Sequence, residues 1–212
     1  MAEAVEKAYR AIREGILKGV YAPGSHIRAQ DLAAATGVSR TPVREAMRRL
    51  HAEGMIEIIS NRGAFVCSWS EKDIIQIYDL RVLLEGYAAE SAAANSTAAQ
   101  KAELRALAEE MAALVEQDPP PHERIADVNH LFHRKLLAAS GNARMEDLLA
   151  TIMELPLALR TFRHYSLNDL RRSASQHLDI VRALEAGDGA WSRSLMASHI
   201  LAGRHTLVSR AE

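Results

Sequence analysis

The sequence predicts a mainly α protein: a small helical head with one β-hairpin, followed by an all-α antiparallel six-helix bundle. Three observations predict it. Apolar residues recur at helical spacing along most of the chain. Strand-like runs occur in one place only, at residues 55–59 and 64–67, either side of a Ser60-Asn61-Arg62-Gly63 turn. Beyond residue 70 there is no strand pattern, and helical stretches are separated by Gly, Pro, Asn and Ser breaks. The chain has 212 residues, room for one large or two modest domains, and its 48% hydrophobic content, rich in Ala, suits a helical core. Ser68-Trp69-Ser70 reads as a linker, which divides the chain into 1–69 and 70–212.

In the head, Val5, Ala8, Tyr9, Ile12 and Ile16 mark a first amphipathic helix, ended by Gly19 and Pro23-Gly24. Residues 28–35 read as a short second helix, which Gly37 can end in the left-handed conformation. In the next helix Val43, Ala46, Met47 and Leu50 form one apolar face. Ser39 or Thr41 can cap it, and Pro42 is tolerated in its first turn. Arg40, Arg44 and Arg48 fall four apart on the opposite face, where like charges repel by a few tenths of a kcal/mol per pair. Such a stripe is either a solvated face or a surface for a polyanion. Two helices joined by a tight Gly turn, the second basic at its start, make a helix-turn-helix, and the hairpin after them makes a wing.

The rest of the chain shows helical periodicity at 71–94, 97–117, 122–140, 143–164, 167–186 and 189–210. Ser70 with Asp73 and Thr97 with Gln100 have capping-box spacing, and Pro156 should kink the fourth segment. An antiparallel bundle is the natural packing of six such helices. Charge divides the same way. Residues 1–70 hold ten Lys and Arg against seven Asp and Glu, +3; the remainder holds sixteen against twenty, −4. A mildly basic head on an acidic body suits a protein whose head alone meets nucleic acid. With aromatic residues at 5%, stacking on bases is not the expected mode of recognition. One cysteine, Cys67, excludes an internal disulfide, and the charged N-terminus carries no signal peptide; with no membrane span, a cytoplasmic location is expected.

Seven of the nine histidines lie beyond residue 120. On the helix at 122–140, Ile125, Phe132, Leu136 and Leu137 define a buried face, with Asn129 and His133 in its middle. His177 shares a face with Ile180, Val181 and Leu184, and His199 with Leu195 and Ala202. Polar groups on inward faces must be satisfied, because leaving each unpaired costs roughly 1–3 kcal/mol. Imidazoles converging from several helices suit a transition metal; a metal-free polar pocket is the other reading. Arg81 and Glu85 lie on the inner face marked by Ile74, Ile77 and Ala88. They can pair with each other, or Arg81 can hold a carboxylate in a bidentate fork. Arg163 lines up with Met145, Leu149 and Ile152 and so also points inward, which makes Arg81, Glu85 and Arg163 the candidates for binding an effector.

The run from Tyr21-Ala22-Pro23-Gly24 through LAAATGVSRTPVREAMRRLHAEGMIEIISNRGAFV resembles the winged helix-turn-helix of the GntR family of bacterial transcription regulators. RVLLEGYAAESAAA, NHLFHRKLLAASGN, QHLDIVRALEAGD and MASHI resemble the FCD effector-binding domain of its FadR-type subfamily, in the shorter VanR-like branch. The resemblance implies a homodimeric regulator, commonly a repressor, on a near-palindromic operator, governed by a small organic acid. It implies base contacts from Arg40 and Arg44, a contact from Gln30, phosphate contacts from Ser39 and Thr41, and a wing tip at Asn61, Arg62 and Gly63. It places the family's metal ligands, one acid and three histidines, on Asn129, His133, His177 and His199. Asn129 departs from the acid and brings no charge; zinc, nickel or manganese all fit the donor types. The alternatives are a metal-dependent hydrolase or lyase fused to a DNA-binding head, and a pure metal sensor. His-Glu-x-x-His is absent, and no convincing base stands beside the histidines, Glu85 being the one acid that can be argued for, so no enzyme is expected.

Overall fold

The computed structural model describes residues 1–60, 62–68, 70–152 and 165–209. The chain divides into two compact units, the first spanning Met1–Trp69 and the second beginning at Ser70.

The first unit contains α1 (Ala2–Leu17), β1 (His26–Ile27), α2 (Ala29–Thr36), α3 (Arg40–Ala52), β2 (Ile56–Ile59) and β3 (Gly63–Val66). Its core is the apolar face read from the sequence: Ala8, Tyr9 and Ile12 of α1 and Val43, Ala46, Met47 and Leu50 of α3 are all buried. Gly37 ends α2 in the left-handed region, at φ 68°. The hairpin pairs Ile56 with Val66 and Ile59 with Gly63. It gains a third strand that no sequence pattern announced. β1 pairs antiparallel with β3, His26 opposite Phe65 and Ile27 opposite Ala64, so the sheet order is β1-β3-β2.

The start of α3 departs from expectation. Ser39 occupies the N-cap position with extended backbone, φ −70° and ψ 166°, but its side chain makes no capping bond; Thr41 lies inside the helix. Pro42 removes one of the two donors open to an N-cap oxygen, which accepts from the amide two or three residues on: the residue three on from Ser39 has no N–H to give, and only the Thr41 amide is left.

The second unit contains α4 (Glu71–Asn95), α5 (Ala98–Val115), α6 (His122–Ala139), α7 (Ala143–Ile152), α8 (Leu167–Ala186) and α9 (Gly189–Ser209). Ser70 and Thr97 open α4 and α5 with complete capping boxes, and Ser166 with Asp169 opens α8 with a third. The expected continuation of α7 to residue 164, with its kink at Pro156, lies outside the described residues. Among the described residues α4 and α9 form the most extensive helix pair, α5 packs on α6 and α8, and α4 also meets α6 and α8. Two bidentate ion pairs fasten α5 to α8: Arg105 to Glu185, with Nε 2.7 Å from Oε1, and Arg171 to Glu116, with Nε 2.8 Å from Oε1. Among the described residues no helix is long and apolar enough to cross a membrane.

Candidate functional site

The outward face of α3 carries Arg40, Arg44 and Arg48, all exposed, with Ser39 and Thr41 exposed at its start and Gln30 exposed on α2. Arg62 and Gly63 are exposed on the wing; Asn61 lies outside the described residues. The cations differ in their company. Arg10 pairs with Glu6, Arg49 with Glu6 and Glu53, and Arg48 with Glu45 at 2.8 Å. Arg28, Arg40 and Arg44 have no ion pair or hydrogen-bond partner for their side chains among the described residues. Arg62 only leans over the Phe65 ring, at 5.9 Å. Like charges left uncompensated on one face are unfavourable for the isolated head and favourable once a polyanion lies against it. Between α3 and the wing the surface sinks into a cleft of about 360 Å³, with Arg44 and Arg48 on its helix side and Gly63 and Ala64 on its wing side.

In the second unit, α4, α6, α8 and α9 bring their inward polar residues together. His133 of α6, His177 of α8 and His199 of α9 are all buried, and their ligand nitrogens lie within 4.8 Å of one another. His133 Nε2 is 3.2 Å from His199 Nε2 and 3.4 Å from His177 Nε2.

On the opposite side, two of the three rings face an acceptor. His133 Nδ1 is 2.5 Å from Glu85 Oε2, and Glu85 Oε1 accepts from Arg81 Nε at 2.6 Å. Burial alone would raise the Glu85 carboxyl; the Arg81 guanidinium and the His133 ring against it hold it down at about 2. Glu85 is therefore an acceptor only, and Nδ1 of His133 is the donor. His199 Nδ1 faces Gln176 Oε1 at 3.2 Å. His177 Nδ1 makes no hydrogen bond of good geometry, although the Ser173 backbone one turn earlier favours its protonated form.

Burial pushes His177 well below the usual imidazole range, and the neighbouring His133 adds to the shift. Burial does the same to His199, helped by His177, His133 and Arg81 and opposed by Glu85. With the His133 and His199 protons on Nδ1, their Nε2 lone pairs face each other, and His177 Nε2 faces that of His133. A proton on His133 Nε2 could bridge to one neighbour but not both, since one N–H makes one good hydrogen bond. A cation at the convergence would satisfy all three, so the residues present fit a metal.

Asn129, the fourth position expected to ligate, is buried on α6 one turn before His133, and its Oδ1 has no hydrogen-bond partner. A buried carbonyl oxygen left bare is the donor a hard or borderline cation would use. Arg81 is buried, and apart from Nε its N–H groups bond to none of the described residues. Arg163 lies outside the described residues. His130, at the edge of the face, is held down at about 4 by partial burial and by His133, Arg134 and Arg81. Neither Glu85 as the partner of His133 nor Gln176 as the partner of His199 was foreseen as such, because both contacts cross between helices and leave no local spacing.

Comparison with known proteins decides the family. Residues 4–66 match the model of the bacterial regulatory proteins of the gntR family, and residues 76–202 match the FCD domain. The chain belongs to the GntR family. It is a transcriptional regulator of the GntR class with an FCD domain. It is 33% identical to a probable D-xylose utilization operon transcriptional repressor of Paenarthrobacter nicotinovorans, over 88% of this chain and 81% of that protein. It is 28% identical to the gluconate operon transcriptional repressor of Bacillus subtilis, over 88% of this chain and 77% of that one. Among solved structures, E. coli McbR/YncC has the same fold, with a TM-score of 0.74 at 22% identity over 100% of both chains.

Proposed function

We propose that this GntR regulator is a cytoplasmic homodimeric repressor, not an enzyme. It holds a near-palindromic operator through its head and releases it when a small organic acid binds beside a metal in the FCD domain. The observation that carries the first half is the pair Arg40 and Arg44, exposed on α3 without acidic partners beside a pocket rimmed by cations. These two would read base edges in the major groove, the pairing of Arg with guanine being worth roughly 1–3 kcal/mol of discrimination. Ser39, whose hydroxyl makes no capping bond, and Thr41 would hold phosphates, with Gln30 beside them and Asn61, Arg62 and Gly63 at the wing tip. Arg48 would serve as a weaker contact, since Glu45 already neutralises it.

In the FCD domain, Nε2 of His133, His177 and His199 with Oδ1 of Asn129 would hold a zinc, nickel or manganese ion. When bound, the ion supplies a Lewis-acid anchor for an anionic group. Glu85 and Gln176 orient two of the rings by accepting from Nδ1. The N–H groups of Arg81 not used on Glu85, with Arg163, would take the acid's carboxylate. With Asn129 in place of an acid the site keeps more positive charge, which favours an anionic effector. One relative is named for the gluconate operon, and gluconate is an acid of this kind. Glu85 is committed to both Arg81 and His133, which argues against its serving as a catalytic base.

Arg44→Ala should abolish binding to an operator selected from a random duplex library, with the circular dichroism spectrum unchanged; retained binding removes the role given to α3. In protein purified without chelator, His133→Ala with His177→Ala should lose bound metal by elemental analysis. Unaltered metal content would place the ion elsewhere.

A further inference from the structure

We propose that the cleft between α3 and the wing seats a strand of the DNA sugar-phosphate backbone, and that Arg28 and His26 of the β1 edge are the phosphate contacts there. The inference rests on the DNA-binding reading of the head and adds two residues to it. A winged head puts its recognition helix in the major groove and its wing toward the adjacent minor groove. The backbone strand that separates those grooves must then cross the gap between helix and wing. That gap is the cleft of about 360 Å³. Its rim carries His26, Arg28, Arg44 and Arg48, and no acidic residue lines it among the described residues. Its floor is apolar, with Ile27, Met47 and Ile58, which suits the deoxyribose faces that alternate with phosphates.

Neither side chain has an ion pair or a hydrogen-bond partner among the described residues. Arg28 sits in the N-cap position of α2 with extended backbone, φ −112° and ψ 134°, and its guanidinium, which has donors only, is not a cap. It is exposed and pairs with no acid among the described residues. His26 is exposed, and its ring lies against Phe65 with centroids 4.9 Å apart. The ring crosses the start of β3, where a Cβ on Gly63 would stand 2.4 Å from its Nε2. The wing glycine thus leaves the space that keeps the imidazole at the rim of the cleft.

Phosphate contacts strengthen all duplexes alike and release counterions, whereas base contacts change preference. The test measures full-length protein by fluorescence anisotropy on two duplexes, one selected from a random library by the wild type and one of random sequence. Salt is varied between about 50 and 200 mM. Arg28→Ala should weaken binding to both by the same factor and reduce the slope of log K against log salt by about 0.9. Arg28→Lys should restore the slope, and His26→Gln should weaken both duplexes equally. An unchanged slope in Arg28→Ala, or a loss confined to the selected duplex, overturns the assignment while leaving α3 as the reader. A wild type that binds neither duplex brings down the DNA-binding reading and this inference with it.

Discussion

Arg40, Arg44 and Arg48 are indistinguishable by spacing, and the structure separates them by what stands beside each. Arg48 is held by Glu45 at 2.8 Å, so docking DNA must first compete with a carboxylate. Arg48→Ala should therefore weaken operator binding by less than about 1 kcal/mol, against roughly 1–3 kcal/mol or more for Arg44→Ala, by anisotropy on the same duplex. Equal losses would mean that Glu45 offers no competition. Gly63 makes a similar point. Its place in a turn was legible, but the need for glycine comes from φ 101° and from the His26 ring 2.4 Å from where a Cβ would be. Gly63→Ala should destabilise the head by more than about 1 kcal/mol in urea unfolding. Asn129 shows the limit of reading a residue alone. Its inward direction followed from helical periodicity; that its Oδ1 lacks a partner did not. Asn129→Asp should tighten metal binding at least about tenfold in competition with a chelator, the size of effect that site residues commonly carry. It should also lower the melting temperature of the metal-free protein, because it buries an unpaired carboxylate. Looser binding in the variant would put Asn129 outside the ligand set.

Elements were legible where a local rule fixes them. The capping boxes at Ser70 and Thr97 and the left-handed Gly37 are patterns of three or four neighbours, and α2, α4 and α5 begin or end there. The box at Ser166–Asp169 has the same spacing and could have been read the same way instead of as a polar break. β1 could not: two residues have no periodicity, and they are a strand only because Phe65 and Ala64 are opposite them. The fastening of α5 to α8 is equally non-local, since Arg105–Glu185 and Arg171–Glu116 join residues far apart in the chain. These pairs carry a pH signature. The arginine hydrogen bonds hold Glu116 and Glu185 below the usual 4.5, with burial opposing weakly. A carboxyl depressed in the folded state adds stability that is fully present above 4.5 and is lost as pH falls through its lowered value. The wild-type melting temperature should thus fall more steeply below pH 4.5 than that of the Glu116→Gln, Glu185→Gln variant. Parallel curves would show that the two exposed pairs contribute nothing measurable, as many surface pairs do.

At the scale of the molecule, the two units differ in charge, +3 over residues 1–70 and −4 over the rest, which is what a head that alone meets nucleic acid would require. The order of helices was visible in the sequence, because breaks such as Gly141 and Gly187 fall where helices end, both with φ near 70°. The convergence of three histidines was legible only as three separate inward faces; that they meet is a property of how α6, α8 and α9 pack. The same gap between part and whole bears on DNA recognition. One winged head is a single module of the size that buries roughly 600–1,000 Å² on DNA, too little for tight specific binding against a genome of competing sites. Two heads related by a dyad double the contacts and tie them to a fixed half-site spacing. Inserting five base pairs between the half-sites of the selected operator turns one half-site to the far side of the helix, at about 10 bp per turn. Binding by the full-length protein should then fall at least about tenfold toward its random-sequence level, since the second head is left with non-specific contacts. Insertion of ten base pairs would restore the face but stretch the spacing, and should recover only part of the loss. A protein indifferent to both insertions would be binding through a single head.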